Sequence, residues 1–372
     1  MRIPMVDLGR QYRSLRDPIH EALDAVLESS RFIQGPEVAE LEERIKDYLG
    51  AGDAVACASG TDALELAMWS LDLSPGDEVI VPAFTFIASA ESISTAGARP
   101  VFADVSPDTL NLDPADVERR ITPRTKAIMA VHLFGQCADL GALGEICRKR
   151  GLTLIEDAAQ AIGADFRGRM AGSIGRLGTL SFFPSKNLGG YGDGGMILCE
   201  SRDTGKRLRA ARNHGQRERY AYDFLGRNSR LDTLQAAILL VKLDHLESWI
   251  DARRRVAARY RELLTGAPVE PLAHDAFGRH VYHQFTVRVP DGGREAVQAA
   301  LAERGIASAV YYPSPLSRER AFAHLGKPAD LPVSERASRQ VLSLPIFPEL
   351  LEEEVVEVAE TVLAALPEGA GL

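Results

Sequence analysis

No two cysteines in this 372-residue sequence stand at the C-x-x-C spacing of zinc and redox sites; the four, Cys57, Cys137, Cys147 and Cys199, are scattered. They read as small buried residues of a cytoplasmic protein, and no metal site is expected. Long apolar runs are missing too. The best candidate, TLQAAILLVKL, is short and contains lysine, whereas a membrane helix needs roughly eighteen or more apolar residues. MRIPMVDLGRQYRSL has no apolar core behind its basic start, so no signal peptide is expected. Positive charge is in deficit: 43 Lys and Arg against 52 Asp and Glu leave a net charge of −9. That balance disfavours a general nucleic-acid or anionic-membrane binder while leaving room for a local basic pocket. Repeats and low-complexity tracts are absent. What is there, 45% hydrophobic and 26% charged residues, is the composition of an ordinary globular protein, long enough for a large core and a second domain.

From residue 54 to 200 short β-rich runs alternate with helical patterns. AVACA, EVIVP, RPVFADV, KAIMAVHL, LTLIEDA, GTLSFF and GMILCE are the candidate strands. Their near-continuous apolar character marks strands buried on both faces, as in a mostly parallel sheet between helices. TDALELAMWSLDL and DLGALGEICRKRG carry apolar residues at helical spacing, and the second ends in Lys and Arg followed by Gly, a helix stop. Before this region, DPIHEALDAVLES and PEVAELEERIKDYLG read as amphipathic outer helices. After it, SRLDTLQAAILLVKLDHLESWIDARRRVAARYRELL reads as one long helix, apolar on so many faces that it belongs between domains or at a subunit contact. HQFTVRV, REAVQAALAERG and SRQVLSLP then alternate strand and helix. The expected organisation is an α/β domain over residues 1–240 with a seven-stranded sheet, followed by a connecting helix and a smaller α+β domain over 241–372.

SFFPSKNLGGYGDGG, residues 181–195, sets Lys186 between an apolar pair and a run of glycines. A solvated loop lysine is the plain account. The P-loop does not fit, because there the glycines precede the lysine. A Schiff-base lysine would need a tight, low-dielectric site and other segments to hold a cofactor's phosphate and ring. In CASGTDALELAM a strand runs through Ser59, Gly60 and Thr61 into a helix, whose free N–H groups and dipole suit a phosphate, unless the hydroxyls merely cap the helix. In LIEDAAQAIGA, Asp157 ends a strand at the carboxyl edge where open α/β sheets bind ligands. Two adjacent acids buried unpaired would be costly, so at least one faces a cation or a strong donor. A protonated pyridine nitrogen is one such partner, and capping of the next helix is the competing account. Gln160 lies about one turn on and suits a ring oxygen. Phe86, beyond another strand end, suits stacking on a flat ring, or plain core packing. Asn228 and Arg230 stand where the long helix is expected to begin, which favours an anion or a cap.

Read jointly, these segments resemble fold-type I pyridoxal-phosphate enzymes, and more closely the DegT/DnrJ/EryC1/StrS family of nucleotide-sugar aminotransferases. The resemblance runs from MVDLGRQYRSL and FIQGPEVAELEE through SGTDAL, PAFTFIAS, VHLFGQ, EDAAQAIGA, SFFPSKNLGGYGDGG, NHGQ and NSRLDTLQAAIL to VYHQF and VYYPSPL. It implies that Lys186 holds pyridoxal 5′-phosphate covalently and moves the proton between cofactor and substrate carbon, the cofactor passing through its pyridoxamine form. Asp157 would pair with the pyridine nitrogen, Gln160 with the ring hydroxyl, and Phe86 with the ring face. Backbone groups of Gly60, Thr61 and Asp62, with the Ser181 hydroxyl, would take the phosphate. Asn228 would reach the phosphate of a partner subunit, making a homodimer with composite sites. Tyr191, Arg230 and Tyr312 are the candidate substrate contacts. The implied reaction is ping-pong transfer from L-glutamate to a nucleotide-linked keto-sugar, with GYGDGG leaning towards a UDP-linked 3-keto N-acetylated uronic sugar.

Two positions depart from the family pattern: Ser317 stands where histidine often follows YYPxPL, and Cys137 where proline usually follows GQ. The first weakens the sugar assignment. Pyridoxal- or pyridoxamine-phosphate-dependent sugar dehydratases or deaminases on this fold are the nearest alternative, although those that remove a C3 hydroxyl typically carry histidine in place of Lys186. A non-catalytic regulatory protein on the same scaffold is the alternative from another class.

Overall fold

The computed structural model describes residues 1–274, 277–327 and 329–366. All seven expected strands form, and they form one sheet. In chain order they are β1 (Asp53–Cys57), β2 (Glu78–Pro82), β3 (Arg99–Ala103), β4 (Thr125–Val131), β5 (Thr153–Asp157) and, after a short hairpin of β6 (Asp165–Phe166) and β7 (Arg169–Met170), β8 (Leu177–Ser181) and β9 (Gly195–Cys199). The spatial order is β1-β9-β8-β5-β4-β2-β3. β9 is antiparallel to both neighbours, and the other pairings are parallel. The carboxyl ends of β1, β2, β5 and β8 therefore lie along one edge.

Alternation along the strands loads two cores. Ala54, Ala56, Ile80, Ile128 and Leu180 point to one face, where α2 (Pro36–Leu49) and α6 (Leu140–Arg150) supply Leu41, Ile45, Leu143 and Ile146. Val55, Val79, Val81, Met129 and Ile197 point to the other, against Leu64 and Met68 of α3 (Gly60–Trp69), Ile93 of α4 (Ile87–Thr95) and Leu208 of α7 (Arg202–Ala211). Burying each such Val, Ile or Leu side chain stabilises by about 1.5–3 kcal/mol relative to exposure.

The N-terminal helix starts earlier than DPIHEALDAVLES suggests. α1 spans Leu8–Ser29 with Pro18 inside it, and the Asp7 carboxylate caps it by accepting the Arg10 N–H at 2.9 Å. Proline reads as a helix start from sequence, but here flanking turns carry the helix through it. The long helix expected after residue 229 is two: α8 (Thr233–Leu243) and α9 (Leu246–Leu263). Neither glycine nor proline marks the break. α8 packs on α1 and α2, whereas α9 packs on α12 (Glu352–Ala364), and this change of partner turns the chain. Ile238, Leu239 and Ala236 are buried within the chain itself, so the apolarity of α8 does not call for a partner subunit.

The remaining elements are α5 (Pro114–Arg120) between β3 and β4, β10 (Gln216–Glu218) and β11 (Ala221–Tyr222), a small hairpin, then β12 (Glu270–Pro271), β13 (Phe285–Arg288), α10 (Arg294–Glu303), α11 (Pro332–Gln340) and β14 (Val341–Leu344), besides short 3₁₀ turns. β12, β13 and β14 make a second, three-stranded sheet. Phe285, Val287, Leu342 and Leu344 join Val256 and Tyr260 of α9 and Val358 of α12 in a separate core, which also takes Ile3. No helix is long and apolar enough to cross a membrane among the described residues.

Candidate active site

A cavity of about 470 Å³ opens along the carboxyl edge of the large sheet, lined by Gly60, Thr61, Phe86, Asp157, Gln160, Ser181, Lys186 and Tyr312 among others. That volume lies within the roughly 300–1,000 Å³ of ligand sites. Eight of the expected site residues therefore come together from five separate segments.

β5 brings the two acids to this edge and its alternation separates them. Glu156 points inward and is fully buried. Burial would raise its carboxyl, but His132 Nε2 at 2.8 Å and the N–H groups of Gly175 and Gly172 outweigh this and hold it below the usual range. The Ala138 N–H donates to His132 Nδ1 at 3.2 Å, which leaves the other ring nitrogen to donate to Glu156. Asp157 faces the cavity instead. Its Oδ2 accepts the Ser89 hydroxyl at 2.7 Å and its Oδ1 the Ala159 N–H at 3.2 Å. Such a carboxylate is oriented by two donors and keeps acceptor capacity for a third.

Lys186 stands in the loop after β8, its N–H donating to the Phe183 carbonyl at 2.8 Å. The side chain borders the cavity yet lies deep among protein atoms. Burial pushes its ammonium down to about 8, against the attraction of Asp157. His283 lines the same cavity, and burial together with the nearby cations Lys186 and Arg253 holds its imidazole well below the ordinary value, so it is neutral.

The start of α3 forms the opposite end. Ser59 Oγ accepts the Asp62 N–H at 3.0 Å and the Ser59 carbonyl accepts that of Ala63. The N–H groups of Gly60 and Thr61 belong to the first turn and find no acceptor within the helix. A Cβ on Gly60 would lie 2.6 Å from Ser181 Cβ, so glycine is what lets the helix start come this close to the end of β8. Asp62 contributes structurally: its N–H is engaged by the cap, and its carboxylate accepts the Ser229 hydroxyl at 2.7 Å. Gln160 accepts the Phe134 N–H at 2.7 Å, which turns its NH₂ towards the Tyr312 hydroxyl at 3.3 Å. Phe86 stands at the start of α4, 55% exposed.

Besides Asp62, three expected residues lie outside this wall. Asn228 is exposed and bridges Asn213; Arg230 donates to the Asn213 side chain at 3.3 Å. Both precede α8 rather than start it, since Asp232 occupies the cap position. Tyr191 packs on Tyr12 of α1 and on Lys242. The glycines after Lys186 approach protein rather than open space: a Cβ on Gly189 would meet the Pro184 carbonyl at 2.3 Å, and one on Gly190 the Gln235 side chain at 2.8 Å. Ser317 borders a different surface groove, beside Arg99 and Arg120, and Cys137 is buried in the core. Conversely, Thr85, Asp193, His283, Gln284 and Tyr311 line the cavity without having been singled out. Their only signal was membership of the motifs PAFTF, GYGDGG, VYHQF and VYYPSPL. Ser89, which orients Asp157, follows a helical spacing that no sequence rule ties to a carboxylate on another strand.

The pyridoxal phosphate implied by the sequence fits this arrangement. Two unengaged helix N–H groups beside a serine hydroxyl suit its phosphate, a carboxylate with spare acceptor capacity suits its ring nitrogen, and an easily deprotonated lysine suits its aldehyde. Among the described residues no group of three or more His, Cys, Asp or Glu side chains is placed to hold a metal ion.

Comparison with known proteins agrees. The model of the DegT/DnrJ/EryC1/StrS aminotransferase family matches residues 13–363. The chain is 49% identical over 368 residues to the pleiotropic regulatory protein of Geobacillus stearothermophilus, covering 97% of this chain and 98% of that one. It is 46% identical over 364 residues to the UDP-N-acetyl-3-dehydro-alpha-D-glucosamine 3-aminotransferase of Acidithiobacillus ferrooxidans, with 98% of each covered. Identity is 45% over 348 residues to the UDP-2-acetamido-2-deoxy-3-oxo-D-glucuronate aminotransferase of Pseudomonas aeruginosa, covering 94% and 96%. Among solved structures, Streptomyces venezuelae DesV in complex with a ketimine intermediate superposes with a TM-score of 0.94 at 42% identity, covering 97% and 98%. The chain belongs to the DegT/DnrJ/EryC1/StrS family, the pyridoxal-phosphate-dependent aminotransferases of fold type I.

Proposed function

We propose that this enzyme moves an amino group from L-glutamate to a UDP-linked 3-keto N-acetylated sugar, with a uronic sugar as the leading candidate. The observation that carries the reading is one cavity faced by Lys186, Asp157 and the open start of α3. Two relatives named for UDP-linked 3-keto N-acetylated sugars, one of them a uronate, support the substrate class. When bound, pyridoxal phosphate supplies the electron sink and the carbon that carries the amino group between two half-reactions.

The chain's own residues do the rest. The N–H groups of Gly60 and Thr61 bind the phosphate, helped by the helix dipole and the Ser181 hydroxyl. Asp157 holds a proton on the ring nitrogen, while Ser89 and Ala159 fix its direction. Lys186 Nζ carries the proton to and from the substrate carbon, which its lowered proton affinity favours near neutral pH. Phe86 covers one face of the ring and excludes water there. Asn228, exposed and outside this chain's own cavity wall, serves the partner's site in a homodimer.

An absorbance spectrum of the pyridoxal-phosphate-loaded protein, before and after L-glutamate, tests the reading. A band shifting from the visible to the near ultraviolet supports amino transfer. A bound cofactor indifferent to every amino donor would favour the dehydratase alternative. Failure to bind it would favour a regulatory role, the one for which the Geobacillus relative is named.

A further inference from the structure

The glycine run after Lys186 rests on α8, and two polar side chains of that helix hold it. Gln235 and Lys242 are seven residues apart, two helical turns, and so share a face. Gln235 Oε1 accepts the Tyr191 N–H at 2.8 Å, and Lys242 Nζ donates to the Gly189 carbonyl at 2.7 Å. The same ammonium stands 4.2 Å from the centre of the Tyr191 ring. Lys242 is fully buried; the Glu349 carboxylate attracts it from beyond ion-pair distance, and no carboxylate among the described residues forms an ion pair with it. Burying an ammonium is costly unless it is paired. An aliphatic residue would fill the same space without that cost, so what the lysine alone contributes is a donor for the Gly189 carbonyl and a charge for the Tyr191 ring.

The backbone held in this way carries the reactive lysine. The Gly190 N–H donates to the Phe182 carbonyl and the Lys186 N–H to the Phe183 carbonyl, both at 2.8 Å, which closes residues 182–190 into one loop. Gly189 crosses within contact of Pro184, where any Cβ would collide with the carbonyl. Both ends of the loop are thus tied to β8, while its far side is tied to α8.

We infer that Lys242, together with Gln235, is a positioning residue: by fixing the Gly189–Tyr191 backbone it sets where the Lys186 amine stands in the cavity. This rests on the amino-transfer role proposed for Lys186. Lys242→Met keeps the unbranched stem and removes the donor. In the cofactor-free variant, hydrogen exchange at the Gly190 and Tyr191 amides should quicken about tenfold or more while the amides of β5 keep their rates. In the loaded variant, kcat with L-glutamate should fall about ten- to a hundredfold, as for a slightly misplaced group, with KM changed less than about twofold. A folded Lys242→Met protein in which either the exchange or kcat is unchanged overturns the inference. Should that variant fail to fold, Gln235→Ala decides: faster exchange at Tyr191 with β5 unaffected supports the anchor, and unchanged exchange overturns it. The exchange measurement needs no turnover. A wild-type enzyme inert towards every amino donor would therefore count against the proposed function and not against the anchor.

Discussion

A lysine held near 8 by burial has a distinctive pH signature. Only the neutral amine attacks an aldehyde, so capture of pyridoxal phosphate by cofactor-free protein should accelerate with pH and level off above about 8; an exposed lysine would do so only near about 10.4. Stopped-flow absorbance across that range reads the midpoint directly. Asp157 works against the shift, so Asp157→Asn should move the midpoint further down. The same variant should lose about 10²- to 10⁴-fold in kcat, because an amide cannot hold the ring proton, with little change in unfolding temperature since the amide oxygen still accepts the Ala159 N–H and the amide NH₂ donates to the Ser89 hydroxyl oxygen. Unchanged kcat would place the ring partner elsewhere. The adjacent acids of LIEDAA were legible as a pair in which one member must meet a strong donor. Their division of labour follows from strand alternation, and the burial of Glu156 under three backbone N–H groups came from a loop the sequence does not advertise.

At the scale of elements, the start of α3 is the most sensitive contact. Gly60→Ala puts a methyl 2.6 Å from Ser181 Cβ, and overpacking of this kind costs about 1–3 kcal/mol. The helix start must back away from β8, so affinity for pyridoxal phosphate should fall by roughly tenfold or more, measured by equilibrium dialysis, with the circular dichroism spectrum retained. Wild-type affinity would mean that the phosphate sits elsewhere. Strands were the most legible elements, since continuous apolar runs between helical patterns leave few other assignments. Helix ends were less so. Pro18 suggested a start and is interior, and the α8–α9 break at Asp244 and His245 has no local signal because it answers to packing on two different sets of neighbours.

For the whole molecule, Asn228 decides between a self-contained site and a shared one. If it serves the partner, Asn228→Ala and Lys186→Ala proteins, each inactive alone, should regain activity when subunits exchange, because each hybrid dimer has one site free of both changes. Random pairing predicts roughly a quarter of wild-type activity. Activity that stays at baseline after verified exchange would place each site within one chain.

What the sequence determined alone was whatever depends on neighbours along the chain: strands from continuous apolarity, the helix start at Ser59, an edge carboxylate from the end of β5, and a reactive lysine from motif order. What only the tertiary structure decided was whatever depends on residues distant in sequence. In the glycine run after Lys186, Gly190 makes room for Gln235 of α8. Lys242 read as one polar residue in an apolar helix and proves to be the donor holding Gly189. The Gln235 and Lys242 bonds to this loop span 44 and 53 residues along the chain. Periodicity reports which face of an element is buried, and packing alone determines what that face meets.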